Sequence, residues 1–128
     1  MPISFNNPDG VFPPGSRYSH AAVVEGGGRR LVVSGQVGLR PDGHLDRDPE
    51  EQIKQALANL GAVLSGNGMG PRDVVKVTAF LTDQELVPLW REARINFFDG
   101  HAPASTLLIV AGLADPRFVV EVEAEAAD

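Results

Sequence analysis

Glu121, Glu123 and Glu125 occupy every second position of a segment that is otherwise Val119, Val120, Val122, Ala124 and Ala126. Side chains alternate across a strand, so the three carboxylates share one face with Val119, while Val120, Val122, Ala124 and Ala126 share the other. Like charges on one face repel unless water or a partner screens them. Two readings are open: a solvated face near a chain end, to which pattern alone leans, or one carboxylate in a cleft that handles a proton or a water molecule. Few other residues have chemical capacity. Tyr18 and Ser34 lie on strand-like segments, and Arg91 and Arg94 lie on a helical one. With a glutamate, such groups can position one water and one small polar substrate.

His20, His44 and His101 are far apart and in no metal-ligand spacing, so none is read as a ligand and only His20 is expected to face a cleft. Ser34-Gly35-Gln36 lacks the strand–turn–helix elbow of a hydrolase serine and has no evident acid–histidine partner, which argues against a covalent serine mechanism. Gly26-Gly27-Gly28 joins two strand-like runs and precedes no helix, so it reads as a turn rather than a phosphate cradle.

The chain has 128 residues, a single-domain length that can bury about two-thirds of its unfolded surface. A hydrophobic fraction of 43% without low-complexity runs indicates a folded globule. Cysteine is absent, which removes disulfides, thiolate metal sites and cysteine nucleophiles together and is compatible with a reducing cytosol. The N-terminal residues lack the basic start and apolar core of a signal peptide, and no apolar run approaches the roughly 20 residues that span a bilayer. A cytoplasmic protein with no membrane partner is the expectation. The net charge of −6, with Arg29-Arg30 as the one basic pair, opposes nucleic acid as a partner.

The elements that position these residues follow in order. Residues 1–17 read as a lead-in loop with a short edge strand, because Pro, Gly and Asn crowd them. Tyr18 to Glu25 and Arg30 to Val37 form a hairpin. Pro41-Asp42-Gly43 is a turn. Asp48 caps a helix that Pro49 opens, and Ile53, Ala56, Leu57, Leu60, Val63 and Leu64 form its apolar stripe until Gly66-Asn67-Gly68 stops it. Val74 to Leu81 is a strand with Val75, Val77, Ala79 and Leu81 on one face. A second helix runs from Thr82-Asp83 to about Phe98, burying Leu86, Leu89, Trp90, Ala93 and Phe97; Pro88 requires that it start late or bend. Gly100 ends it, and strands over 102–113 and 118–126 close the chain. Two helical stripes and at least five strands predict a sheet with both helices on one face. The other face carries Val, Leu and Thr among its charges, too apolar for open water, which predicts oligomerisation through it and sites between subunits.

Tyr18 at the first hairpin strand, Ser34-Gly35-Gln36, the run Val74 to Leu81, Phe97-Phe98, Pro103-Ala104, and Val120 to Ala124 resemble, in order and spacing, the RidA (YjgF) family. The resemblance covers nearly the whole chain from about residue 17. It implies an α+β, chorismate-mutase-like fold, a mostly antiparallel sheet with two helices on one face, as a single domain over 1–128. It also implies a homotrimer with three inter-subunit clefts, and hydrolysis of a reactive imine or enamine to a carbonyl compound and ammonia without metal or cofactor. The family's pocket residues map onto Tyr18, Ser34 and Glu121. Its essential arginine, which grips a substrate carboxylate, maps onto Ser105; its helix asparagine maps onto Arg91 and its small residue or cysteine onto Leu107. Loss of a bidentate guanidinium implies a changed substrate class. Arg91 is one replacement for it, a solvated helix residue the other reading. The expectation is therefore a RidA-like deaminase in which Glu121 orients or deprotonates water, Tyr18 and Ser34 hydrogen-bond the substrate, and Ser105, Arg91 and Leu107 reshape its acid-binding end. The alternatives are a non-catalytic binder or regulator using the same cleft and, against the charge balance, a ribonuclease or translation inhibitor.

Overall fold

The computed structural model describes residues 2–128; Met1, the first residue of the expected lead-in loop, lies outside them. Six strands form one sheet: β1 (Ile3–Asn6), β2 (Ala21–Glu25), β3 (Arg29–Gln36), β4 (Val74–Leu81), β5 (Ala104–Ile109) and β6 (Val120–Ala127). Their spatial order is β1-β2-β3-β6-β4-β5. All neighbours are antiparallel except β4 and β5, which are joined through a helix. The last strand of the chain is thus central, with both its neighbours supplied by earlier segments.

Two helices, α1 (Pro49–Gly66) and α2 (Val87–Phe98), cover one face of this sheet. Asp48 caps α1 by accepting from the Glu50 N–H, Pro49 opens it, and the whole expected stripe from Ile53 to Leu64 is buried. That stripe meets Leu31, Val33, Val77, Ala79, Leu81, Val120, Val122, Ala124 and Ala126 in one core. The open face carries Val24, Val32, Thr78 and Phe80, half-buried, with Leu108, Phe5 and Ile3 more exposed beside them.

Several features differ from those read in the sequence. Strand β2 begins at Ala21, not Tyr18, because the His20 N–H donates to the Asn7 side chain instead of a ladder partner. In β4, Val75 is 50% exposed rather than on the core face. The register against β6 slips between Val74 and Lys76, so Val74 and Val77 both face inward and Val75 is turned out. Helix α2 starts late: Gln84–Leu86 is a separate 3-10 turn, and Pro88 occupies the first turn of α2, where it removes no intrahelical bond. Trp90 and Phe98 are buried, Leu86 is buried in the preceding turn, and Leu89, Ala93 and Phe97 are only half-buried against the core. The closing strands also start later, at Ala104 and Val120, and β5 stops at Ile109 rather than reaching residue 113, so that residues 110–119 connect the two as a loop.

That loop is held by Gln52 of α1, 1% exposed. Its Nε2 donates to Asp46 O and Arg117 O, and its Oε1 accepts from Val119 N–H, each at 3.0 Å. Replacing Gln52 with alanine removes three part-buried hydrogen bonds to backbone groups and is expected to cost about 1–3 kcal/mol in urea unfolding; a loss below about 0.5 kcal/mol would show the tether to be dispensable.

Candidate functional site

Strand β3 carries an irregularity where it matters. Val33 pairs with Ala124 and Gln36 with Val122, so three steps along β3 match two along β6. The extra residue is a β-bulge at Ser34-Gly35, which re-aims the side chains that follow it. Gln36 is consequently buried at 2% exposure, and Gly35 comes to lie against the Glu121 side chain. A Cβ on Gly35 would stand 1.8 Å from Glu121 Oε2. The carboxylate therefore occupies the place of a missing side chain.

The bulge also clasps the loop ahead of β2. Ser34 N–H donates to His20 O at 2.8 Å, and Ser34 Oγ donates to Ser19 O at 2.6 Å. Gln36 Nε2 donates to Ser34 O and to His20 Nδ1, while His20 Nε2 donates to Phe12 O at 2.8 Å. The carbonyl partners only accept, which fixes the tautomer of the imidazole and the orientation of the amide. Both ring nitrogens of His20 are thus occupied. It lines the site, as expected of the one histidine near a cleft, and serves to hold the loop that carries Phe12 and Tyr18.

Loop, bulge and β6 enclose a cavity of about 540 Å³. Glu121, Tyr18, Ser34 and Gly35 line it together, and Val11, Phe12, Pro13, Leu39 and Phe118 supply much of its apolar wall. Phe118 follows a turn in which Arg117 donates to Asp115 through its side chain and its backbone N–H, holding that carboxyl down at about 2. This clasp is in place at neutral pH and is lost only as the pH falls through that value.

The three alternating glutamates have three different surroundings. Glu125 pairs with Arg30 at 3.2 Å, Glu123 is exposed, and Glu121 is half-buried. Loss of water around Glu121, then repulsion from Glu123, raises its carboxyl above the ordinary value. One member of the row therefore lies half-buried in a cleft while its neighbours form the solvated face, so the placements in the two readings occur at different positions of one strand.

Of the expected site residues, Tyr18, Ser34 and Glu121 come together within one chain; Ser105, Leu107 and Arg91 do not join them. Ser105 and Leu107 lie on β5 opposite Val77 and Ala79, whose side chains face the helices. Arg91 is exposed on α2. Arg94, one turn later, is the arginine that reaches this strand: its Nη1 donates to Ser105 Oγ at 3.0 Å. Sequence reasoning missed the apolar wall contributed by Val11 and Phe12, which sit in a segment whose prolines and glycines signalled only a loop. It also missed the role of Gly35, though the motif containing it was noted. Among the described residues no group of three or more His, Asp or Glu side chains is placed to hold a metal ion, and no helix is long and apolar enough to cross a membrane.

A mixed sheet backed by two helices, with a carboxylate-lined cavity at the bulged end of its third strand, defines an α+β protein with a candidate site on its sheet. The family model for endoribonuclease L-PSP matches residues 11–128, and the chain belongs to this family, that of RidA (YjgF). It is 40% identical to the mouse 2-iminobutanoate/2-iminopropanoate deaminase over 110 residues, covering 84% of this chain and 78% of the relative. A RutC family protein of Aquifex aeolicus is 38% identical over 113 residues, covering 88% and 87% of the two chains. Among solved structures, RidA from the Antarctic bacterium Psychrobacter superimposes with a TM-score of 0.89 at 27% identity, covering 98% of this chain and 99% of that one. Escherichia coli TdcF with bound serine superimposes with a TM-score of 0.88 at 26% identity, covering 98% of each chain.

Proposed function

We propose that this chain hydrolyses a reactive imine or enamine to a carbonyl compound and ammonia, on a substrate class different from that of relatives that carry an arginine at the position of Ser105. The observation that carries this reading is the placement of Glu121, half-desolvated on Gly35 beside Tyr18 and Ser34 in an otherwise apolar cavity. A carboxylate whose proton affinity is raised by burial can accept a proton from water at neutral pH. The imine enters with its nitrogen protonated; as the water oxygen bonds to the C=N carbon, the C=N π pair moves to nitrogen, Glu121 takes the water's proton and a neutral carbinolamine forms. Glu121 then gives that proton to the nitrogen, and the C–N bond breaks with its electron pair on the departing ammonia. The hydroxyl proton passes back to Glu121 as the C=O forms and is released to solvent, restoring the one that entered with the imine. In balance, one imine and one water become one carbonyl compound and one ammonia, with no change of oxidation state. An enamine enters the same sequence after protonation at carbon. Tyr18 and Ser34 orient the substrate.

The open sheet face, with Val24, Val32, Thr78 and Phe80, supports assembly as a homotrimer through that face. Ser105 and Leu107 lie on the helix-facing side of β5 and Arg91 on α2, so contact through the open face alone does not carry them to the cleft; a neighbouring copy would supply them only by packing the β5 edge against it. The names of the mouse relative and of Escherichia coli TdcF, a reactive intermediate deaminase by name, support the deaminase chemistry. Charge supports it over ribonuclease activity: Arg29 pairs with Asp128 and Arg30 with Glu125, leaving the basic pair neutralised.

The test generates imines in place, from amino acids with an amino-acid oxidase and from amines lacking a carboxylate with an amine oxidase, and follows their decay. Wild type is expected to accelerate decay of at least one imine. Comparison with Ser105→Arg, Arg91→Ala and Arg94→Ala locates any carboxylate anchor. If no imine is turned over by the wild type while one of the substrates or products binds in the cavity, the protein is a binder rather than a hydrolase.

A further inference from the structure

The hydrogen-bonding groups of the cavity are unevenly disposed. Ser34 Oγ has already donated its hydrogen to Ser19 O, so it presents only lone pairs to a ligand. Gln36 has both amide hydrogens engaged, on His20 Nδ1 and Ser34 O. Asn59 has both of its own on Val37 O and Leu39 O, and His20 donates to Phe12 O. Among side chains of the lining, Tyr18 and Ser16 alone keep a hydroxyl hydrogen for a ligand. Among the described residues with which this chain lines the cavity, Glu121 is the one charged side chain, and no lysine or arginine is included. A carboxylate entering this cavity would meet two hydroxyl donors and the repulsion of Glu121. A protonated nitrogen would meet a desolvated anion and the free lone pairs of Ser34.

We propose that the cavity takes an apolar ligand bearing a protonated nitrogen and no carboxylate. Its apolar part rests on Phe12, Pro13, Leu39 and Phe118, and its N–H groups face Glu121 and Ser34 Oγ. The volume of about 540 Å³ lies within the range of about 300–1,000 Å³ usual for small-molecule sites and admits a ring with a short chain. As a statement of substrate class this rests on the hydrolase reading, and makes the substrate an imine of an apolar primary amine; the binding preference itself is measurable without turnover. The Arg94 guanidinium does not line the cavity of its own chain, being engaged with Ser105 on the helix-facing side of β5.

Calorimetric titration of the full chain with 2-phenylethylamine, 2-phenylethanol and 3-phenylpropionate tests this. The amine, a stable stand-in for the protonated imine, is expected to bind at least about tenfold more tightly than the alcohol, with the carboxylate weakest. Glu121→Gln, isosteric with the wild type, is expected to erase the advantage of the amine over the alcohol. Phe12→Ala, which retains the Phe12 carbonyl that His20 needs, is expected to weaken both. Equal binding of the three compounds, or none at millimolar concentration, overturns the proposal. So does tighter binding of 3-phenylpropionate that Arg94→Ala abolishes, which would place the guanidinium beside Ser105 in the ligand site. Amine-selective binding with no turnover of any imine leaves this proposal standing and removes the hydrolase; turnover confined to imino acids does the reverse.

Discussion

Glu121→Gln is expected to slow imine hydrolysis by about 10²–10⁴-fold, the usual contribution of a positioned general base, while the variant folds as well as or better than the wild type. The two effects share one cause. The carboxyl is raised because burial removes its water and Glu123 lies near it, so ionised Glu121 opposes folding. The folded carboxyl titrates above its unfolded value, so as the pH rises the unfolded chain releases its proton first. Wild type therefore loses stability as the pH rises from the ordinary carboxylate value through the raised one, a loss that is complete above the raised value and absent in acid below both. The glutamine variant has no such dependence. Its melting temperature should exceed that of wild type at neutral pH, and the gap should close in acid. Full activity in Glu121→Gln would remove the glutamate from the mechanism, whatever the melting curves show.

The second large effect is expected from a residue with no side chain. Gly35→Ala places a methyl group where Glu121 Oε2 lies, 1.8 Å from the new Cβ, with the carboxyl carbon at 2.7 Å. Gly35 has no positive φ, so alanine meets no backbone strain, and the group in its way is the far end of a flexible side chain. The carboxylate should swing outward at small cost in stability. Catalysis should fall by about 10²-fold, as a misplacement of about 1 Å can cost that much. Two readouts separate displacement from unfolding: the melting temperature should change little, and the Glu121 carboxyl, now wetter, should titrate closer to its ordinary value by NMR. An active Gly35→Ala protein with an unshifted Glu121 would mean that the strands part to admit the methyl group, and that Gly35 does not position the carboxylate.

Where local chemistry is sufficient, the sequence alone determined the structure. The Asp48 cap, Pro49 at the first helical position and the stripe from Ile53 to Leu64 specify α1, because capping and a 3.6-residue period are properties of one segment. The alternation of β6 likewise determined which side of Val120 to Ala126 is buried and which carries the glutamates. The family motifs placed Tyr18, Ser34 and Glu121 on neighbouring segments, and the chain brings them into one cavity. What only the tertiary structure decided depends on a partner strand or a distant hydrogen bond. The slip at Val75 and the bulge at Ser34-Gly35 arise from pairing with β6, about 50 and 90 residues further along, and neither strand shows the mismatch by itself. The position of Tyr18 depends on Asn7 capturing the His20 N–H, and the apolar wall on Phe12 lending its carbonyl to the same histidine. Three glutamates identical in pattern became a surface ion pair, a solvated charge and a half-buried carboxylate because Arg30, open water and Gly35 stand beside them. Pattern states which face a residue takes; what waits on that face is a property of the assembled sheet.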